Sequence, residues 1–276
     1  MADEVKMDNG SRKVGKMSDK DFFRCSVTEG VAIITIDRPP LNVLSFSHYH
    51  ELCIKIFQLI EGKEAKVVIL TGSNKAFISG LDIKEINRIS TPEENDEATL
   101  KVKALFRQIE KLSRPVIAAI NGNCFGGGLE LAMACHLRLA SRDARLGLPE
   151  INLGAIPTFG GTQRLPKIVG RAKAMELILT GRLISGEEAS SIGLVNEACQ
   201  PEELLDRAIS LAHQIANKNI MAVEAATQAV TEALEVDIET GLILESRLSS
   251  ELVGTYNMKE GIAAFLEKRK PVFRGK

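Results

Sequence analysis

The order of strands and helices along the chain constrains its fold more than any other feature of the sequence. Up to about residue 196, short β-branched runs alternate with amphipathic helical patterns. Three of these runs predict buried strands, at 31–36, 66–70 and 116–120. This alternation is typical of an α/β core, in which helices pack against a mainly parallel sheet. From 197 to 276 the pattern instead predicts helices in nearly unbroken succession.

These patterns divide the 276 residues into three parts. Residues 1–20 mix acidic and basic side chains without an apolar run, which predicts a disordered tail rather than a secretory signal or a transit peptide. Residues 21–196 form the predicted α/β core, and residues 197–276 the helical C-terminal region.

The charge, apolar pattern and cysteine usage narrow the class of protein. The formal net charge is −1 and no apolar stretch is long enough to span a bilayer, so we expect neither a nucleic-acid nor a membrane partner. The five cysteines are scattered and lack CxxC spacing, which favours reduced thiols in the cytoplasm. The motifs of serine hydrolases, zinc proteases and phosphate-binding loops do not occur, and no metal site is expected.

One predicted strand runs directly into a glycine-rich turn and a helix. The segment 118–132 reads Ala-Ala-Ile-Asn-Gly-Asn-Cys-Phe-Gly-Gly-Gly-Leu-Glu-Leu-Ala. Glycines at a helix start expose backbone N–H groups that attract an anion, although on the glycines alone a tight turn without a ligand is favoured. Glu130 follows in the first helical turn among apolar neighbours. Desolvation there would raise its pKa toward the range of a general base, the alternative being an exposed structural glutamate.

Two further segments add candidate groups. Glu150 follows Pro149 in the segment 145–157 and has apolar neighbours, although an isolated glutamate after proline is more often a loop or helix-start residue. Together with Glu130 it forms a carboxylate pair suited to acid–base catalysis. The segment 75–83 ends a strand and offers another exposed backbone amide; the alternative is an ordinary loop in which Asp82 caps a helix.

Taken together, these segments resemble the crotonase (enoyl-CoA hydratase/isomerase) family. The resemblance runs from about residue 28 to the C-terminus, and its further motifs are Asn121-Gly122, Gly160-Gly-Thr-Gln-Arg164, Leu179-Thr-Gly181 and Glu267-Lys-Arg-Lys270. It implies an α/β fold built as a spiral of ββα units. It also implies that the helical C-terminal region assembles the chain into a trimer or a dimer of trimers.

The resemblance further implies an enoyl-CoA hydratase, which adds water syn to a 2-enoyl-CoA thioester and yields a 3-hydroxyacyl-CoA. Glu130 would activate the water that attacks Cβ, and Glu150 would handle the proton delivered to Cα. The N–H groups of Leu81 and Gly127 would form the oxyanion hole. The residues implied in binding the coenzyme A substrate are Ile78, Ser79, Gly80, Asp82, Ile83, Thr158, Phe159 and Lys268. No cofactor is expected, because coenzyme A is part of the substrate.

The sequence departs from the family's usual pattern in two places. Thr158-Phe159 is bulkier than the Gly-Ala of well-studied short-chain hydratases, and the segment 38–42 lacks a lysine that the family commonly has there.

The alternative functions within the family are an enoyl-CoA isomerase, which typically lacks one of the two carboxylates, and a hydratase of a cyclic or aromatic-derived acyl-CoA. RNA binding through the basic residues of the helix near 98–112 is less favoured than a solvated helix. A catalytically silent scaffold is disfavoured by the presence of both glutamates.

Overall fold

The computed structural model describes residues 22–274, so the tail predicted at 1–20 lies outside the described residues. Ten strands occur in this range: β1 (Phe23–Thr28), β2 (Val31–Ile36), β3 (Val67–Gly72), β4 (Ala76–Ile78), β5 (Val116–Ile120), β6 (Asn123–Phe125), β7 (Leu137–Ser141), β8 (Arg145–Gly147), β9 (Ile184–Ser185) and β10 (Glu197–Cys199). The α-helices are α1 (Phe46–Glu61), α2 (Ile83–Ile86), α3 (Pro92–Glu110), α4 (Gly127–Ala134), α5 (Gly161–Val169), α6 (Arg171–Thr180), α7 (Gly186–Ser191), α8 (Leu204–Ala216), α9 (Ile220–Glu232), α10 (Ile238–Leu252) and α11 (Tyr256–Leu266).

The strands form two sheets, and the chain alternates between them. The larger sheet has the order β1-β2-β3-β5-β7-β10 and is parallel except for the β1–β2 hairpin. The smaller sheet has the order β4-β6-β8-β9. Each of the pairs β3–β4, β5–β6 and β7–β8 therefore places one strand in each sheet before the chain moves on. This winding is the spiral of ββα units that the family resemblance implied, and the α/β fold class is confirmed.

The larger sheet is buried on both faces, which explains why its central strands read as unbroken apolar runs. On one face, α1 packs over β3 and α3 packs against α1, and strand side chains such as Leu70 and Ala118 share one core with both helices. On the other face, α8 packs Ala208 and Ala212 against Ile69. Strand β10 joins this sheet beside β7, so the sheet and its covering helix extend past the boundary predicted near residue 196.

Beyond α8, the helices bury little of their own apolar surface. Each of α9 and α10 has a single buried residue, Ile220 and Leu248. Ile243 and Phe265 remain 72% and 83% exposed. Helix α9 is joined to the core by ion pairs, one of them between Arg114 and Glu224 at 3.0 Å. Among residues 22–274 no helix has the length and apolar character that crossing a membrane requires.

Candidate active site

The three segments singled out in the sequence meet at one edge of the smaller sheet. Strands β4, β6 and β8 are parallel neighbours, with Ile78 beside Cys124 and Cys124 beside Leu146. The carboxyl ends of parallel neighbours lie at the same edge of a sheet, where ligand sites commonly form. Each of these strands is followed by one of the predicted segments, so the loop after β4, the glycine turn after β6 and the short 3₁₀ helix Pro149–Leu153 after β8 come together.

The glycine turn after β6 needs glycine for conformation and for space. Gly126 has φ = 51°, a region that L-residues rarely adopt, and a side chain there would lie 2.7 Å from Oε1 of Glu150. A Cβ on Gly127 would lie 2.7 Å from the hydroxyl oxygen of Tyr49. A Cβ on Gly128 would collide with the backbone and side chain of Ile78. The turn therefore packs α4 directly against the residues of the site.

Two backbone N–H groups at this edge are candidates for an oxyanion hole. Gly127 is the first residue of α4, where a helix leaves its N–H groups without an intrahelical acceptor. Leu81 forms a parallel bridge with Leu44. The hydrogen bonds of this bridge are made by the residues on either side of Leu81: Leu44 N–H donates to the Gly80 carbonyl at 3.0 Å, and Asp82 N–H donates to the Leu44 carbonyl at 2.8 Å. Within residues 22–274 the N–H of Leu81 itself has no acceptor.

Glu130 lies one turn into α4 and is only 1% exposed. Its Oε1 accepts hydrogen bonds from Phe159 N–H at 2.7 Å and from Gly161 N–H at 2.8 Å. Burial and, next, the charge of Glu150 raise the pKa of Glu130 to about 8, although the two N–H donors oppose this by stabilising the carboxylate. Such a carboxyl group exchanges protons near neutral pH.

Glu150 is the second carboxyl group of the site and lies in the 3₁₀ helix after β8. Burial raises its pKa above the usual value for glutamate. Its Oε2 is buried and makes no hydrogen bond to any of the residues that the structure describes. The two glutamates thus differ: one oxygen of Glu130 accepts from two donors, while Oε2 of Glu150 accepts from none among residues 22–274.

The ion pair between Arg164 and Glu110 holds the loop whose N–H groups bind Glu130. The sequence analysis assigned no role to this pair. Arg164 donates to both carboxylate oxygens of Glu110, at 2.7 and 3.0 Å, and to the carbonyl of Phe159 at 2.8 Å. Glu110 is in turn bonded by Arg107 at 3.1 Å. Arg164 belongs to the motif Gly160–Arg164, which was the only signal in the sequence.

An aromatic cluster forms one wall of the site. The rings of Phe46, Tyr49 and Phe106 each contact the ring of Phe159 edge to face, at centroid distances of 6.0, 5.6 and 5.9 Å. Phe159 also lines a cavity of about 730 Å³, which extends between α3, α5 and α9. Phe159 therefore contacts both the groups around Glu130 and this cavity. Thr158 before it is half-buried.

The remaining predicted binding residues fall into two groups. Ile78 is fully buried, and Oγ of Ser79 is buried without a hydrogen-bond partner among residues 22–274. Asp82 caps α2 by accepting from Lys84 N–H at 3.0 Å, which is the alternative considered for it in the sequence, and Ile83 is largely exposed. Lys268 is exposed just beyond the end of α11, and its approach to a nucleotide stays a prediction.

Three of the basic residues at 98–112 pair with glutamates. Lys101, Arg107 and Lys111 do so at 2.9, 3.1 and 3.7 Å respectively, and Arg107 pairs with Glu235 as well. The absence of RNA binding through these residues stays a prediction from the sequence.

Comparison with known proteins agrees with this geometry. Residues 26–276 match the family model described as enoyl-CoA hydratase/isomerase. The chain is 42% identical to the short-chain-enoyl-CoA hydratase of Clostridium acetobutylicum, over 87% of this chain and 92% of that protein. It is 40% identical to the crotonyl-CoA hydratase of Syntrophomonas wolfei, over 90% of this chain and 96% of that protein.

Solved structures show the same relationship in three dimensions. The crystal structure of an enoyl-CoA hydratase from Bacillus anthracis superposes with a TM-score of 0.87 at 39% identity, covering 93% of this chain and all of that one. An enoyl-CoA hydratase structure from Geobacillus kaustophilus gives a TM-score of 0.88 at 36% identity, covering 94% of this chain and all of that one. Because the family model spans residues 26–276 and these structures match more than 90% of the chain, the chain belongs to the enoyl-CoA hydratase/isomerase family.

Proposed function

We propose that the protein is an enoyl-CoA hydratase that adds water to a 2-enoyl-CoA and forms a 3-hydroxyacyl-CoA. The observation that carries this proposal is a pair of glutamates, Glu130 buried and Glu150 half-buried, beside two backbone donors. Glu130 and Glu150 interact electrostatically, and Gly126, the residue before the Gly127 donor, lies against Oε1 of Glu150. The names of the relatives support the same reaction.

The backbone donors serve the part of the reaction in which charge develops. When water attacks Cβ of the enoyl thioester, electron density moves to the carbonyl oxygen. The N–H groups of Leu81 and Gly127 would each donate a hydrogen bond to this oxygen. A preorganised donor of this kind contributes about 3 kcal/mol to the stability of the transition state. The helix dipole of α4 adds a partial positive charge at the same end.

The two glutamates divide the proton transfers. The carboxylate of Glu130 takes a proton from water as the water oxygen bonds to Cβ. The protonated carboxyl group of Glu150 gives its proton to Cα, so that one molecule of water is added overall. Exchange of the proton from Glu130 back to Glu150 then restores the starting state. Glu130 is buried and Glu150 half-buried, and two neighbouring carboxyl groups in such a setting resist being charged together, so the pair holds a single proton. The reactive form is the one that carries this proton on Glu150, and its population grows as the pH rises toward the pKa of about 8 of Glu130.

Turnover assays test the proposal against the isomerase alternative. With crotonyl-CoA we expect loss of the enoyl absorbance and formation of 3-hydroxybutyryl-CoA. A 3-enoyl-CoA of the same chain length is the comparison substrate, since an isomerase would convert it without taking up water. Conversion of the 3-enoyl-CoA without any hydration of crotonyl-CoA or of longer 2-enoyl-CoA thioesters would contradict the proposal.

The Arg164–Glu110 pair leads to a prediction about positioning. Arg164→Lys keeps the positive charge, but a lysine cannot bond both oxygens of Glu110 and the Phe159 carbonyl at once. We expect kcat to fall by about 10- to 100-fold because the N–H groups that hold Glu130 would shift. KM for the thioester should stay unchanged, and the acidic limb of the pH–rate profile should move upward as Glu130 loses its donors.

The matched control is Arg207→Lys. Arg207 also binds a glutamate, Glu197, at 2.7 Å, but both side chains are exposed and lie on the face of the sheet covered by α8. This variant should keep the wild-type kcat and pH profile. Equal effects of the two substitutions, or a change of Arg164→Lys confined to thermal stability, would contradict a positioning role.

We further propose that the C-terminal helices assemble the chain into a trimer or a dimer of trimers. The support is the apolar surface that α9, α10, α11 and the turn between α9 and α10 leave exposed on the single chain: Val230, Leu234, Ile238, Leu242, Ile243, Phe265 and Leu266. Burial of such a surface against further copies of the same chain would remove it from water. Light scattering of the full chain should give three or six times the mass of 30.0 kDa, and a monomer would contradict the proposal. The cytoplasmic location and the lack of a cofactor stay predictions from the sequence.

A further inference from the structure

Tyr49 places a hydroxyl group in the candidate active site that neither the sequence motifs nor the reaction scheme uses. It lies in the first turn of α1, on the buried stripe that also contains Leu52, Cys53 and Ile56. The side chain is fully buried, and its hydroxyl makes no hydrogen bond to any of residues 22–274. A buried hydroxyl without a partner is costly, so its retention calls for an explanation.

The position of this hydroxyl ties it to the reacting groups. It lies 2.7 Å from the point that a Cβ on Gly127 would occupy, beside one of the two oxyanion donors. The ring contacts Phe159, whose N–H donates to Glu130. The nearby charges of Glu130 and Glu150, together with burial as the largest cause, raise the pKa of Tyr49 well above its usual value, so it remains a donor.

Hydrogen-bond geometry identifies what such a donor would serve. A water molecule that adds to Cβ can give its two hydrogens to the two carboxyl groups and use one lone pair to attack. Its second lone pair then needs a donor, which Glu130 as a carboxylate cannot supply. The N–H groups of Leu81 and Gly127 are reserved for the thioester oxygen in this scheme. Of the buried hydroxyl groups without a partner among residues 22–274, that of Tyr49 is the one that lies against Gly127.

We propose that the Tyr49 hydroxyl donates a hydrogen bond to the attacking water and orients it together with Glu130 and Glu150. The proposal rests on the hydratase function proposed above. In product, the same hydroxyl contacts the oxygen that has become the 3-hydroxyl group. No atom is transferred to or from the tyrosine, and the proton balance of the two glutamates is unchanged.

Tyr49→Phe tests this role, because it removes one oxygen and keeps the aromatic packing. We expect kcat for hydration of crotonyl-CoA to fall about 10-fold, the effect of losing one hydrogen bond in the transition state. KM should be unchanged, since the thioester contacts remain. The melting temperature should be equal or higher, because the unliganded protein loses only an unpaired buried hydroxyl.

A second reaction separates contact with water from effects on the rest of the site. Exchange of the Cα hydrogens of butyryl-CoA with D₂O needs the oxyanion hole and proton removal from Cα by the carboxylate form of Glu150, but no water addition. Tyr49→Phe should leave this exchange within about twofold of wild type. The control is Tyr256→Phe at the only other tyrosine, which is half-exposed on α11 and should change neither reaction.

Each outcome has a distinct meaning. Slower hydration with unchanged exchange supports the contact with water. Parallel losses in hydration and exchange would show that Tyr49 acts through the oxyanion hole or packing and would overturn the inference, as would unchanged hydration. Wild-type protein that exchanges butyryl-CoA but hydrates no 2-enoyl-CoA would instead refute the proposed function itself.

Discussion

Replacing either glutamate by glutamine should lower kcat by about 10²- to 10⁴-fold while the fold is kept. Glutamine matches glutamate in volume, and its side-chain oxygen can still accept from Phe159 N–H and Gly161 N–H at position 130. The amide can neither take the proton from water at Glu130 nor deliver one at Glu150. Steady-state assays with crotonyl-CoA, alongside thermal unfolding of Glu130→Gln and Glu150→Gln, measure both effects.

The raised pKa of Glu130 fixes the direction in which the stability of the wild type changes with pH relative to Glu130→Gln. An unfolded glutamic acid loses its proton near pH 4.3, whereas folded Glu130 keeps it up to about pH 8. Folding therefore takes up a proton in this interval, and wild-type stability falls relative to Glu130→Gln as the pH rises from about 4 to 8. We therefore expect the melting temperature of Glu130→Gln, measured relative to that of the wild type at the same pH, to increase across this range. Wild-type turnover in a folded variant would remove that glutamate from the mechanism.

Gly127→Ala should lower kcat/KM by about 10²- to 10³-fold, a loss comparable to that of one oxyanion donor. The added methyl group would lie 2.7 Å from the Tyr49 hydroxyl oxygen and 3.0 Å from two ring atoms of Phe159. Relief of this crowding must move the start of α4 and with it the Gly127 N–H. Overpacking of this kind costs about 1–3 kcal/mol in stability, which leaves the protein folded at assay temperature.

Gly241→Ala is the matched control for this substitution. Gly241 lies in α10, and an added Cβ would meet only a methyl group of Val236 at 3.8 Å. Alanine is the better helix former by about 1 kcal/mol, so this variant should be fully active and slightly more stable. If Gly127→Ala lost activity only in proportion to its loss of folded protein, the turn would be structural and the oxyanion role would be refuted.

Local sequence pattern was sufficient for elements long enough to show a period or an unbroken apolar run. The strand predicted at 116–120 coincides with β5, and the succession of helices predicted after residue 197 corresponds to α8, α9, α10 and α11. The smaller sheet was not predicted, because its strands are two or three residues long. Such strands are held extended by their neighbours in the sheet, as Cys124 is between Ile78 and Leu146, and a run of three residues has no period to detect.

In the candidate site, too, some features follow from local sequence and others only from tertiary contacts. Glu130, Glu150 and the glycine turn could be chosen from the chain itself, because their apolar neighbours and backbone requirements are local. The contacts that give them their properties are not local: Glu130 is held by N–H groups 29 and 31 residues away, and Arg164 reaches Glu110 across 54 residues. Tyr49 belongs to none of the motifs found in the sequence. Its hydroxyl acquires the proposed role only because the fold brings α1 beside Gly127, and no spacing along the chain encodes that distance.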